Sequence, residues 1–457
     1  MFLQISWRRL TIVAGLVGIL GASLSGCGGG GSSSSGGGGG GSRAACAPNT
    51  HQSGRPRWTV LVYMNAANDL QPDSLLNVGQ MASVGSDGTN LNIVLQWKQA
   101  NCPTNPNGCG NPSFIGTRRY LIRPHSSSDV AQIKNGNTAV LDPDRLPDPS
   151  TNDSSGQSDM GNWHVLNNFL QWGAQTYPAD NLALVIWDHG SGWVDVYRRP
   201  SKKGAPPKPR AVSVDYSTSD EIETWELPQG LASPQQPIDM LIIDCSLEQM
   251  LEVAYQVRSN ARVLVGSEDS PPGPGYPYDK WLSYVKASGQ NPCDVGNTLV
   301  QDFIASYNSS QWPDLTNSVL DLSKMQGVAN AQEALAQSLN RHIADQSAAY
   351  VYARTNAWSY DNPYYADNKD LFNYVDLLRQ KATASDLQQA AVGVEASLTG
   401  SGGAILYNVH GSNQPNSNGL AVYVPAPGSY ISTYANLALS QAGGAPDWAK
   451  FLQSQTQ

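Results

Sequence analysis

Positive charge is scarce in this chain of 457 residues. Its 28 Lys and Arg stand against 37 Asp and Glu, for a net charge of −9 and a pI near 5.1. A phosphate-binding surface needs the opposite balance, which argues against nucleic acid as a partner. Neither a C-x-x-C pair nor an H-E-x-x-H motif occurs, so a zinc site has little support and no metal ligands are assigned. The twelve Trp are scattered, with no pattern for stacking on sugars or bases. A long apolar run is missing as well: residues 10–24 are too short, and too rich in Gly and Ala, for a membrane span.

That run has another use. Arg8 and Arg9 precede it and Leu24-Ser25-Gly26-Cys27 follows, which reads as an export signal over residues 1–27 closing on a sequence that resembles a bacterial lipobox. The resemblance implies cleavage before Cys27 and lipidation of its thiol, which would hold the chain on a bacterial membrane, at the outer membrane or cell surface, without a spanning helix. Residues 28–42 are only Gly and Ser, and 28–43 form a tether with a reach of roughly 20 Å. The folded part is expected to start near Ala44.

Export sets the redox argument. Cys102 and Cys109 bracket a loop rich in Pro, Asn and Gly, where a local disulfide is expected. Cys46 with Cys293 is the weaker second pairing, and Cys245 is left as an odd, free thiol.

Apolar runs at 58–64 (WTVLVYM), 91–97 (LNIVLQW), 182–187 (LALVIW) and 238–243 (IDMLII) read as buried strands, with further strands over 114–122 and 262–266. Helical spacing lies between them, for example over 162–177. Strand–helix alternation across 58–285 predicts an α/β fold, a doubly wound and mostly parallel sheet with flanking helices. From about 293 the pattern changes to a helical C-terminal extension (294–308, 325–350, 369–398) with additional strands at 403–409 and 419–424. Residues 44–292 and 293–457 are therefore treated as two parts.

Two of these strands end in reactive groups. His189 follows LALVIW, and Asp244-Cys245-Ser246 follows IDMLII, where strand gives way to helical spacing at Leu247, Met250, Leu251 and Ala254. Ligands and reacting groups gather outside the carboxyl ends of strands in open α/β sheets. His189 suits acid–base work, and Gly190 after it could bring a backbone N–H to an oxyanion. A turn-forming role for His189 beside Asp188 remains the alternative. Cys245 and Ser246 are both candidate nucleophiles.

The blocks WTVLVYMNAANDL, LALVIWDHGSGW, DCSLEQMLEVAY, VGSEDSPPGPGYPY and NGLAVYVP, in that order, resemble the clostripain family of peptidases, relatives of caspases and gingipains. The resemblance runs from Trp58 to the end of the chain. It implies a caspase-like fold, a His–Cys dyad that cleaves peptide or protein substrates after basic residues, and calcium as a candidate cofactor. Its histidine falls on His189. Counting back from Glu252 without gaps, its cysteine falls on Ser246, with Cys245 in place of an alanine.

Three readings follow. Cys245 attacks after a local bulge; Ser246 attacks, as a weaker nucleophile; or the site no longer cuts and binds peptides or a protein partner. The resemblance also makes Asp244 the carboxylate that pairs with a basic side chain, with capping of the following helix as its other role. Glu268 and Asp269 would add negative charge if their loop folds over the cleft. The basic, Pro-rich residues 198–210 read as an exposed loop, either a plain insertion or a site of proteolytic processing.

Overall fold

The computed structural model describes residues 44–102, 108–193, 212–232, 235–307, 311–360 and 365–455, and residues 42–457 gather as one compact unit. Cys27, where lipidation is expected, the tether and the basic segment 198–210 lie outside the described residues.

The strands in chain order are β1 (Trp58–Ala66), β2 (Leu91–Gln99), β3 (Gly116–Leu121), β4 (Asn181–Trp187), β5 (Val212–Asp215), β6 (Asp220–Ile222), β7 (Ile238–Asp244), β8 (Ala261–Gly266), β9 (Thr316–Asp321), β10 (Asn368–Asp370), β11 (Ile405–His410) and β12 (Ala421–Tyr423). Eight of them form one sheet in the order β11-β9-β8-β7-β4-β1-β2-β3. The central five (β8, β7, β4, β1, β2) run parallel, and β3, β9 and β11 add antiparallel edges. The mostly parallel sheet expected from the apolar runs is present. The part beyond 293 supplies β9 and β11 to this same sheet.

Both faces of the sheet are covered, which is why β1, β4 and β7 are buried along their whole length. The helices are α1 (Gln71–Val84), α2 (Ser127–Lys134), α3 (Trp163–Thr176), α4 (Leu227–Gly230), α5 (Leu251–Gln256), α6 (Tyr278–Ser288), α7 (Pro292–Ser306), α8 (Met325–Arg341), α9 (Ser347–Asn356), α10 (Leu371–Lys381), α11 (Ser385–Leu398) and α12 (Pro446–Ser454). Side chains alternate between two cores. Leu184 and Ile186 of β4 with Leu241 and Ile243 of β7 join Phe169 of α3 on one face. Val185 and Trp187 with Met240 and Ile242 join Met81 of α1 and Trp281 of α6 on the other.

Three helix expectations change. The single helices expected over 325–350 and 369–398 are each interrupted. The Gln346 side chain takes the Thr383 N–H at 2.8 Å, tying the two breaks together. Residues 368–370 pair with β12 before α10 begins. The helix expected directly after β7 starts only at Leu251.

Cys46–Cys293 and Cys102–Cys109 are disulfides, and Cys245 is free and buried. Among the described residues no helix is long and apolar enough to cross a membrane.

Candidate active site

The parallel pairing of β4 and β7 sets Trp187 beside Asp244. Two residues past each stand His189 and Ser246, so the register brings these residues to neighbouring strand ends, where strands lie about 4.8 Å apart. Parity then separates the three candidates of β7. Cys245 continues the series Leu241, Ile243 into the core shared with α3, whereas Asp244 and Ser246 face the other way. A cleft of about 160 Å3 opens there, lined by His189, Asp244 and Ser246 together with Leu70, Trp187 and Pro272.

Cys245 is 1 % exposed, and its Sγ donates to the Ile186 carbonyl oxygen at 3.6 Å. Burial first, then the carboxyls of Glu248, Asp188 and Asp244, push its thiol well above the usual range. A thiol so placed stays protonated and away from the cleft.

Asp244 is also buried, but on the cleft side. The Tyr278 hydroxyl and the Tyr276 N–H donate to its Oδ2 at 2.9 and 3.3 Å. Burial raises its carboxyl to about 7, against the lowering by these two bonds. Gly275, at φ +60°, lets the 271–275 loop close over it, because a Cβ there would sit 2.7 Å from both Asp244 oxygens. Asp244 does not cap a helix: the N-cap of α5 is Met250, six residues on.

His189 donates its main-chain N–H to Asp188 Oδ1 at 2.6 Å, so Asp188 does shape the turn. The imidazole is left to the cleft. Its Nε2 lies 2.7 Å from Asp69 Oδ1, and the Tyr216 ring stacks on it at 6.2 Å and 14°. Burial pushes the Asp69 carboxyl up, but the hydrogen bond and charge of His189, together with hydrogen bonds from its own main chain and from Tyr216, bring it below the usual carboxylate range.

Gly190 is needed for space. A Cβ would lie 2.6 Å from the Ser246 carbonyl oxygen, 2.7 Å from the Glu248 carboxylate and 2.8 Å from Cys245 Cβ. Glu248 ties the two strand-end loops together by accepting the N–H groups of Ser191 and Gly192 at 3.2 and 3.0 Å. Leu247, at φ +67°, makes the turn that delays α5, and Gln249 N–H is held by the Ser267 carbonyl at 3.0 Å.

Glu268 and Asp269 sit elsewhere than the cleft lining. Glu268 is fully buried and accepts from the Tyr360 hydroxyl at 2.8 Å, the Gly419 N–H at 3.1 Å and the Ser417 hydroxyl. Asp269 accepts from the Gln414 side chain. Both loops that meet them belong to the C-terminal part, so this pair joins β8 to that part.

Asp69 and Glu248 are the residues that sequence reasoning passed over. Asp69 lies in a polar turn after β1, and only the strand order, with β1 next to β4, carries that turn to His189. Among the described residues no group of three or more His, Cys, Asp or Glu side chains comes together to hold a metal ion.

A model of the clostripain family matches residues 62–453. Clostripain of Hathewaya histolytica is 28% identical over 242 residues, which cover 50% of this chain and 42% of clostripain, less than half of that relative's length. A secreted C11 cysteine protease from Bacteroides thetaiotaomicron, in complex with an irreversible peptide inhibitor, is similar at 19% identity, with a TM-score of 0.56 over 88% of this chain and 100% of that one. An inactive zymogen C11 protease from Parabacteroides distasonis is similar at 17% identity, with a TM-score of 0.57 over 87% of this chain and 98% of that one. At these identities the solved structures bear on the fold, and the fold is the same α/β architecture.

Proposed function

The chain belongs to the clostripain family of peptidases, and from that premise we propose that it hydrolyses peptide bonds, with Ser246 as nucleophile and His189 as acid–base group. The observation that carries this reading is the shared cleft of His189, Asp244 and Ser246, with Cys245 turned into the opposite core.

In the attack step the Ser246 hydroxyl gives its proton to the His189 imidazole as its oxygen bonds to the scissile carbonyl carbon. The carbonyl π electrons move onto oxygen, and the N–H of Gly190 is assigned to that oxyanion. Collapse breaks the C–N bond, and the imidazolium returns the proton to the leaving amine. Water then repeats the sequence on the acyl-serine. A serine hydroxyl is almost wholly protonated at neutral pH, so attack depends on the base more than it would for a thiolate.

Asp244, at the cleft floor, is assigned to a basic side chain of the substrate. As a carboxylate it pairs with a guanidinium or ammonium group. Cys27, through lipid, would hold this activity at a bacterial membrane surface.

A second reading is favoured by the serine at position 246, where the resemblance, counted back from Glu252 without gaps, puts the family's cysteine. In that reading the same cleft holds a basic peptide and releases it intact. The test is hydrolysis of an arginyl peptide amide and the matching ester by wild type, Ser246→Ala and His189→Ala. Turnover lost in both variants supports the hydrolase. Binding of the peptide by calorimetry, abolished in Asp244→Asn, with no turnover of either compound, supports the binder.

A further inference from the structure

We infer that Asp69 is a positioning residue of this site, which fixes the His189 imidazole with its proton on Nε2 and so makes Nδ1 the nitrogen that exchanges protons with Ser246. This rests on His189 being the acid–base group.

The geometry is specific. Asp69 Oδ1 stands 2.7 Å from Nε2, within the range of a charge-assisted hydrogen bond. A carboxylate only accepts, so Nε2 must donate, and the lone pair of the neutral ring is then on Nδ1. The groups around the ring agree with one orientation. Tyr216 lies parallel to its face, and Asp188 takes the main-chain N–H rather than a ring nitrogen. Asp73, a further carboxylate within reach of the charge of this ring, makes no hydrogen bond to it among the described residues. Asp69 is itself placed by the turn after β1. Its neighbour Asn68 donates to Asp188 Oδ1 and to the Val214 carbonyl at 3.0 Å, pinning that turn to the end of β4.

The chemistry explains why this matters more for serine than for cysteine. A thiol near its pKa ionises without much help, whereas a hydroxyl must lose its proton during attack to a base already in the right tautomer. The proton leaves Ser246 Oγ for Nδ1, the ring becomes imidazolium, and Asp69 stabilises that charge across Nε2–H. The proton then passes from Nδ1 to the leaving amine, so Asp69 itself never changes protonation.

The experiment uses the purified protein labelled with 15N-histidine, the His189 signals being assigned by their loss in His189→Gln. In wild type at a pH where the ring is neutral, nitrogen shifts should place the proton on Nε2, and in Asp69→Asn the tautomer should move toward Nδ1–H. With the arginyl ester, Asp69→Asn should lower kcat by about 10²- to 10⁴-fold while KM stays within threefold, and Asp69→Glu should recover most of the loss. A kcat for Asp69→Asn within twofold of wild type, or a wild-type ring protonated on Nδ1, overturns the inference. If wild type turns nothing over, the hydrolase reading falls, and the tautomer measurement alone still decides the role of Asp69.

Discussion

The Cys245 sulfur and the Ile186 carbonyl oxygen lie 3.6 Å apart on the face of the sheet away from the cleft. One residue further along, Ser246 lines the cleft with His189. This alternation gives a direct chemical test. In native protein Cys245 should resist iodoacetamide and be alkylated only after unfolding, as peptide mapping by mass spectrometry would report. Ser246→Cys should add one cleft thiol that reacts in the native state and is slowed by an arginyl peptide. Alkylation of Cys245 in folded wild type would contradict the placement.

The cleft floor should make binding pH-dependent. Burial raises the Asp244 carboxyl from its ordinary value near 3.8 to about 7. A proton there competes with a basic side chain, so affinity for an arginyl peptide should rise as the pH goes from 6 to 8, by up to roughly tenfold. The stability effect has the opposite sign. A group whose folded pKa is raised contributes stability that is fully present below the unfolded value and lost as the pH climbs from about 4 through about 7. Asp244→Asn should therefore raise Tm at pH 8 by about 2–4 °C, with the gain shrinking toward pH 5 and the pH dependence of binding lost. Glu252, also raised to about 7 by burial, adds to the slope, so the comparison is between variants at each pH.

Gly190→Ala should fail at the site before it fails elsewhere. The added Cβ would meet the Ser246 carbonyl at 2.6 Å and the Glu248 carboxylate at 2.7 Å. Neither is free to withdraw, because Glu248 already holds the Ser191 and Gly192 N–H groups. A cost of about 1–3 kcal/mol is expected, seen as a lower denaturation midpoint, together with loss of arginyl ester turnover. Wild-type turnover in this variant would mean that the two strand-end loops are not locked together as described.

The sheet was legible because fully buried parallel strands leave unbroken apolar runs, and each of β1, β2, β4 and β7 lies on one. That Cys245 and Ser246 point to opposite sides was legible in the same way, from period-two alternation, but which of them shares a side with His189 was not, because that depends on how β7 pairs with β4. The helical interruptions were not, because Gln346 and Thr383 meet only through tertiary packing. Asp69 was missed for the same reason: nothing in a polar turn states which strand lies next to it. Sequence put Glu268 near the cleft only if its loop folded over it, and whether it does depends on Tyr360 and Ser417, nearly a hundred residues or more further on.

That placement yields the last expectation. Glu268 is fully buried, and burial first and the Asp370 carboxyl second push its own carboxyl well above the usual range. A buried carboxyl shifted this way, and already accepting from Tyr360, Ser417 and Gly419, is not available as a counter-charge to a guanidinium in the cleft. Glu268→Gln keeps the shape and a carbonyl oxygen, so kcat/KM for arginyl substrates should stay within twofold. Glu268→Ala strands the Gly419 N–H and the Ser417 hydroxyl and opens a cavity, at a cost of about 3–5 kcal/mol. Chemical denaturation of the two variants separates these outcomes. A tenfold loss of kcat/KM in Glu268→Gln, confined to basic substrates and with stability unchanged, would instead move this carboxyl into substrate recognition.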